Sequence, residues 1–190
     1  MDLVIKKMAK YKRGLVIGRF QPFHNGHLEL IHQIMNECDE LIVAIGSAQF
    51  NYLAKDPFTA GERIEMIHAS LSDQTFDLGK FFIIPLPNFE NNACWFEYVK
   101  SMVPKFDIIY SGNEYVRFLS SEAIIVKEPL FINKFRFNGE NIRNLICNNE
   151  KCNEKWENLV PNPVKDIIVN INGVERMKVL AKSDTHPQEW

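Results

Sequence analysis

The sequence predicts an α/β fold, a doubly wound parallel sheet closed by a C-terminal helical cap. Three observations carry that expectation. Short continuous apolar runs alternate with segments of helical periodicity, each run ends at a Gly, Pro or Ser-Gly turn, and no strand pattern recurs after Asn138.

The elements follow in order. Arg13-Gly14-Leu15-Val16-Ile17 reads as a short buried strand, and Leu28, Leu30, Ile31, Ile34 and Met35 recur behind it at helical spacing. Glu40 to Ile45 is a continuous apolar run closed by Gly46, as expected of a parallel strand buried on both faces. A helix begins near Thr59, whose hydroxyl caps it while Glu62 reaches back, with Ile64, Ile67 and Leu71 as its apolar stripe. Phe81 to Ile84 is a third strand ending at Pro85, and Trp95 to Met102 is a helix halted by Pro104. Phe106 to Tyr110 is a fourth strand turning at Ser111-Gly112, and Ala123 to Val126 a fifth. Further on, Asn162 caps a helix over Val164 to Ile171 that ends at Asn172-Gly173, and Val174 to Lys182 forms another. This order implies right-handed crossovers and a Rossmann-like sheet that binds ligands at the carboxyl ends of its strands.

Organisation and compartment follow from composition. A chain of 190 residues, 46% hydrophobic, can bury one substantial core. The expected division is a basic tail over 1–12 (Lys6, Lys7, Lys10 and Lys12, continued by Arg13), one domain over 13–182 that turns helical from about 138, and a tail over 183–190. A net charge of −2 gives no global reason to expect nucleic acid as partner. No stretch has the length of a membrane span, and Met1 to Ile5 lacks the apolar region of a signal peptide, so a cytoplasmic protein is expected. Cys38, Cys94, Cys147 and Cys152 form no Cys-x-x-Cys pair and read as reduced thiols.

The richest stretch is Gly18-Arg19-Phe20-Gln21-Pro22-Phe23-His24-Asn25-Gly26-His27, on the turn between the first strand and first helix. It sets two imidazoles and an Arg beside a helix N-terminus, where unpaired N–H groups and the macrodipole attract an anion. As zinc ligands His24 and His27 would need a third partner from elsewhere, and His-Glu-x-x-His spacing is absent, so no metal site is expected. Three of the five histidines (His24, His27, His32) fall within nine residues, which argues against scatter, although His32 reads as helix surface.

His24-Asn25-Gly26-His27 matches the His-x-Gly-His signature of the nucleotidyltransferase superfamily, and the ten-residue run resembles that of the archaeal-type nicotinamide mononucleotide (NMN) adenylyltransferases. The resemblance continues through Ile45–Gln49, Asp56–Arg63, Asn92–Trp95, Tyr110–Asn113 and Asn172–Arg176, roughly residues 13 to 182. It implies adenylyl transfer from ATP to NMN, giving NAD and pyrophosphate. No Ser or Cys is visibly paired with a base, so direct in-line displacement is the simpler mechanism. Catalysis falls to His24, His27 and Arg19. ATP contacts fall to Gly18, Phe20, Gly26, Ser111, Gly112, Asn113, Asn138, Gly139 and Arg143. The NMN subsite falls to Trp95 for the ring, Asn92 for the carboxamide, Lys55 for the phosphate, and Ser47. Trp95 could equally be a core aromatic opening a helix, and Lys55 a solvated surface lysine. Mg²⁺ is expected to arrive bound to ATP, and the resemblance suggests a homo-oligomer, for which family members often form hexamers.

One segment departs from the family. Phe137-Asn138-Gly139-Glu140-Asn141-Ile142-Arg143 stands where a Ser/Thr-Gly-Thr-x-x-Arg signature is usual. Asn138 can still cap the helix and Arg143 is retained, but Glu140 replaces a hydroxyl and carries negative charge toward phosphate. A Glu in a first turn is also an ordinary helix stabiliser. Two alternatives therefore stand beside adenylyl transfer to NMN: a related transferase acting on another phosphate acceptor, and a nucleotide-binding regulatory protein with impaired turnover.

Overall fold

The computed structural model describes residues 11–120, 124–130, 133–148 and 154–182. Five parallel strands, β1 (Tyr11–Gly18), β2 (Cys38–Gly46), β3 (Phe81–Leu86), β4 (Ile108–Tyr110) and β5 (Ile125–Lys127), form one sheet in the order β3-β2-β1-β4-β5. Strand order reverses between β1 and β4, so the loops leaving these two strands diverge and open a crevice at the carboxyl edge. Seven α-helices are described: α1 (Asn25–Met35), α2 (Ala60–Asp73), α3 (Trp95–Met102), α4 (Glu114–Ser120), α5 (Gly139–Cys147), α6 (Asn162–Asn170) and α7 (Gly173–Lys182).

The period-two alternation of the strands divides the core between the two faces of the sheet. Val16, Leu41, Val43, Ile45 and Ile108 point to one face and pack against buried residues of α1, α2, α5, α6 and α7, among them Ile34, Ile67, Ile142, Ile168 and Met177. Leu15, Ile42, Ala44 and Ile109 point to the other and meet Val99 of α3 with Val103 and Phe106. The C-terminal helices thus share the hydrophobic cluster of the sheet itself.

Helix α2 carries the Thr59/Glu62 capping box that its sequence announces, and α3 spans the expected residues. Several boundaries differ. β3 runs through Pro85 to Leu86, in register with Ile45 and Gly46, because an edge strand tolerates a residue without an N–H on its open side. β4 starts at Ile108 rather than Phe106. There Asp107 continues the pairing by other means: its N–H donates to the Arg13 carbonyl and its carboxylate accepts from the Arg13 N–H. α6 begins at Asn162 with Pro161 at the cap position, placing Pro163 in the first turn, where its missing N–H would have had no partner. α4 was not legible, since its aromatic residues Tyr115 and Phe118 stand exposed. Cys38, Cys94 and Cys147 form no disulfide among the described residues. Residues 1–10 with Lys6, Lys7 and Lys10, Ala123, Cys152 and the segment 183–190 lie outside the described residues.

One side chain fixes the carboxyl edge. Arg63 of α2 is fully buried and donates to six carbonyls: Arg19 after β1, Gly46, Ser47, Ala48 and Phe50 at the end of β2 and beyond, and Thr59 at the cap of α2. Replacing Arg63 by Ala leaves those carbonyls short of donors and should cost about 3–5 kcal/mol of stability in urea unfolding. Arg63→Lys, with three donors and no fork, should recover only part. A loss below about 1 kcal/mol would show that water takes over the role.

Candidate functional site

The His-x-x-His spacing is a capping device. His24 occupies the N-cap of α1 with an extended backbone, and its Nδ1 accepts the His27 N–H at 3.3 Å, while His27 Nδ1 accepts the His24 N–H at 3.3 Å. This is the reciprocal geometry of a capping box, made by two imidazoles at N-cap and N3. The rings stack with centroids 3.5 Å apart, and Phe20 and Phe23 pack around His27. With both Nδ1 atoms accepting, each neutral ring carries its proton on Nε2. Burial holds the His24 pKa down to about 3. Burial first, and the His24 charge second, hold His27 well below its usual value. At neutral pH the pair therefore offers two Nε2–H donors and no formal charge. Gly26 is required here: a Cβ would lie 2.8 Å from Phe137 Cβ and 3.2 Å from His24 Nδ1.

Charge comes from the other wall. Asn138 caps α5, accepting the Asn141 N–H at 2.8 Å, and Arg143 one turn on donates to the Gln21 carbonyl at 2.7 Å. A Cβ on Gly139 would stand 2.8 Å from the same carbonyl oxygen, so glycine lets α5 close onto the β1–α1 loop. Gln21 is itself locked by reciprocal bonds with the backbone of Phe58, both 2.9 Å. Arg19 lies with Nη1 3.7 Å from Asp56 Oδ1. The Arg143 pKa is lowered by burial and next by the Arg19 charge, against the opposing pull of Asp56 and Glu140; a guanidinium stays charged regardless.

The N-termini of α1 and α5 meet in this way around a cavity of about 620 Å³. Of the residues singled out in the sequence, Arg19, Phe20, His24, Gly26, His27, Asn138, Gly139 and Arg143 line it, together with Glu140. Gly18 lies beneath the Phe20 ring, where a Cβ would come within 2.8 Å. The others stand beyond the carboxyl ends of β2, β3 and β4, Trp95 as the first residue of α3, and do not line the cavity. Ser47 follows β2 with φ 52° and its hydroxyl donates to Asn88 Oδ1. Lys55 and Asn92 are exposed. Trp95 is half-buried against the second apolar cluster. Ser111 and Gly112 precede Asn113, whose side chain accepts the Tyr115 N–H at the start of α4. Lys134, Phe135 and the wall residue Gln21 also line the cavity and were not singled out. Gln21 lies inside the recognised motif, whereas nothing in sequence periodicity marks the turn bearing Lys134 and Phe135. Among the described residues no three His, Cys, Asp or Glu side chains are grouped to hold a metal, and no helix is long and apolar enough to cross a membrane.

Residues 15–154 match the model of the cytidylyltransferase-like family. The nicotinamide-nucleotide adenylyltransferase of Pyrobaculum arsenaticum is 46% identical over 180 residues, covering 94% of this chain and 99% of its own. That of Methanococcus aeolicus is 46% identical over 173 residues, with 90% and 96% covered. Among solved structures, a bifunctional NMN adenylyltransferase/ADP ribose pyrophosphatase from Francisella tularensis, complexed with AMP and a manganese ion, superposes with a TM-score of 0.68 at 21% identity. The match covers 93% of this chain and 58% of that one, a likeness of fold.

The buried histidines set a pH dependence of stability. His24 titrates near 6.5 when unfolded and about 3 when folded, so the unfolded chain takes up protons that the folded one refuses. Stability is full above pH 6.5 and falls as pH drops toward 3. Melting temperature should therefore decline between pH 6.5 and 5, above the ordinary carboxylate range. His24→Asn, which keeps a capping side chain, should make that decline shallower; an unchanged slope would show that His24 does not contribute to it.

Proposed function

The chain belongs to the cytidylyltransferase-like family and, within it, to the nicotinamide-nucleotide adenylyltransferases, and from that premise we propose that it joins ATP and NMN to give NAD and pyrophosphate. It is a nucleotidyltransferase. The observation that carries the substrate reading is the cavity itself, which faces a polyphosphate with two imidazole Nε2–H donors, the Arg19 and Arg143 guanidiniums and two helix N-termini.

The NMN phosphate oxygen attacks the α-phosphorus of ATP, the bond from that phosphorus to the bridging oxygen of the β-phosphate breaks, and pyrophosphate departs opposite the attacking atom. An attacking phosphate is already anionic and needs no general base. The protein's work is alignment and stabilisation of charge on the transferring phosphorus and leaving group. His24 and His27 donate to triphosphate oxygens, with Arg19 and Arg143 supplying positive charge. Gly18, Phe20, Gly26, Asn138 and Gly139 shape the phosphate cradle, and Ser111 to Asn113 receive the ribose of ATP from the β4 side. Trp95, Asn92, Lys55 and Ser47 form the NMN side. With Glu140 the single carboxylate among the described lining residues, the divalent cation is part of the substrate: Mg²⁺ enters with ATP, held by phosphates and water. Action in the cytoplasm, as a homo-oligomer of hexameric type and without nucleic acid or membrane as partner, completes the reading.

Incubating the chain with MgATP and NMN should yield NAD and pyrophosphate in equal amounts. Failure to form either sinks the proposal. His27→Ala removes a donor and should lower kcat by about 10²–10³ in a folded protein; an unchanged kcat removes His27 from the mechanism.

One observation favours a second reading, a nucleotide-binding protein of impaired turnover. Glu140 is exposed on the cavity wall, where it makes no hydrogen bond or ion pair shorter than 4 Å with the described residues and its charge is offset only in part by the nearby Arg143 guanidinium. Glu140→Thr removes that charge and adds a donor. ATP should then bind about 1 kcal/mol tighter or more, with NMN affinity unchanged. Equal or weaker ATP binding in titration calorimetry would show that the carboxylate turns to solvent.

A further inference from the structure

We propose that Phe135 is the platform on which the base of bound ATP stacks, an assignment that rests on the adenylyl-transfer reading. Phe135 is 97% exposed, the most exposed large hydrophobic side chain among the described residues, and it stands on the wall of the phosphate-binding cavity. An isolated exposed phenylalanine on an open surface needs no explanation. This one is held at the site by a fixed turn. Asn133 adopts φ 50°, its carbonyl accepts the Arg136 and Phe137 N–H groups at 2.9 Å each, and Arg136 Nε donates to Glu154 at 2.6 Å. Asn138, while capping α5, donates from Nδ2 to the Phe135 carbonyl at 2.8 Å and to the Lys134 carbonyl at 3.3 Å. The side chain that orients the phosphate-facing helix N-terminus therefore also fixes the backbone that carries the ring.

The other aromatic residues of the cavity are committed elsewhere. Phe20 is buried over Gly18, and Phe137 packs into the core beside Gly26. With phosphates engaged by the imidazoles and guanidiniums, the base of the same nucleotide must lie toward the mouth. There Phe135 offers the one aromatic face open to solvent among the described lining residues. Base–aromatic stacking is strong enough to matter and tolerant of base identity, so Phe135 confers affinity for a nucleotide over a bare polyphosphate.

The test compares Phe135→Ala and Phe135→Trp with the parent chain, measuring binding of ATP and of inorganic tripolyphosphate together with the KM values for ATP and NMN. Stacking predicts that Phe135→Ala weakens ATP about 5- to 100-fold, leaves tripolyphosphate affinity and KM for NMN unchanged, and is restored by Phe135→Trp. Three results overturn the assignment: ATP affinity unchanged, tripolyphosphate weakened as much as ATP, or KM for NMN raised in place of that for ATP. The binding comparison needs no turnover, so a parent chain that makes no NAD defeats the functional reading while ATP against tripolyphosphate still decides the role of Phe135.

Discussion

Everything at the carboxyl edge of the sheet depends on the buried guanidinium of Arg63. Loops leaving parallel strands carry carbonyls with no ladder partner, and burying them unpaired is costly. Arg63 brings five donors in a rigid fork to six such carbonyls from two loops and its own helix cap. Burial pulls its pKa down, while the Asp56 and Glu62 charges pull it back, so the cation is held by hydrogen bonds and nearby carboxylates together. Its bond to the Arg19 carbonyl places the residue from which the β1–α1 loop departs. Glu62 extends the same scaffold, since Arg176 of α7 grips both of its carboxylate oxygens at 2.8 Å and lays its guanidinium over Tyr52 at 4.5 Å. The β1–α1 loop is thus fastened by long-range bonds from α2 and α5, with α7 locking the base of α2.

On that scaffold the site separates hydrogen-bond direction from charge. The reciprocal caps of His24 and His27 consume both Nδ1 lone pairs, fix each ring and aim Nε2 away from the helix. Protonating either Nδ1 would break a cap as well as charge a buried ring, so the same geometry that orients the donors keeps them neutral. In the proposed reaction, such fixed neutral donors would not need to reorganise as charge develops on phosphorus. Positive charge comes from Arg19 and Arg143, with Lys134 also on the cavity wall, and the ionisation of the two guanidiniums does not depend on pH in the working range.

Much of this was legible, and the gaps have physical causes. Apolar runs gave the strands because a parallel sheet buried on both faces leaves no polar alternation to confuse them, and Thr59 with Glu62 gave α2 because capping is local chemistry. The reach of β3 past Pro85 was hidden because edge position is a property of the sheet, and α4 because its aromatic face is not core. His24 and His27 stood out by spacing and their anion-facing place was inferred, but their capping bonds were not: imidazole is not a usual capping group. Arg63 was visible only as one letter of a motif, since its six partners are carbonyls that any residue supplies. The turn bearing Phe135 carried no signal because its geometry rests on the Asn138 side chain, which bonds backbone carbonyls four and three residues earlier in the chain.

Two carboxylates show how the charge is arranged in depth. Asp56 is buried, its Oδ1 lacks a hydrogen-bond donor, and its charge bears on Arg19, Arg63 and Arg143. It does not line the cavity. Standing outside the cavity lining, it offsets the mutual repulsion of Arg19 and Arg143, which lets two cations face one space. Glu140 stands on the cavity wall itself, exposed. Its charge also pulls on Arg143, but it faces the cavity directly. A carboxylate outside the lining therefore lets the arginines stay together without opposing an anion in the cavity, whereas one on the wall would repel that anion, so position relative to the cavity decides the sign of a carboxylate's contribution.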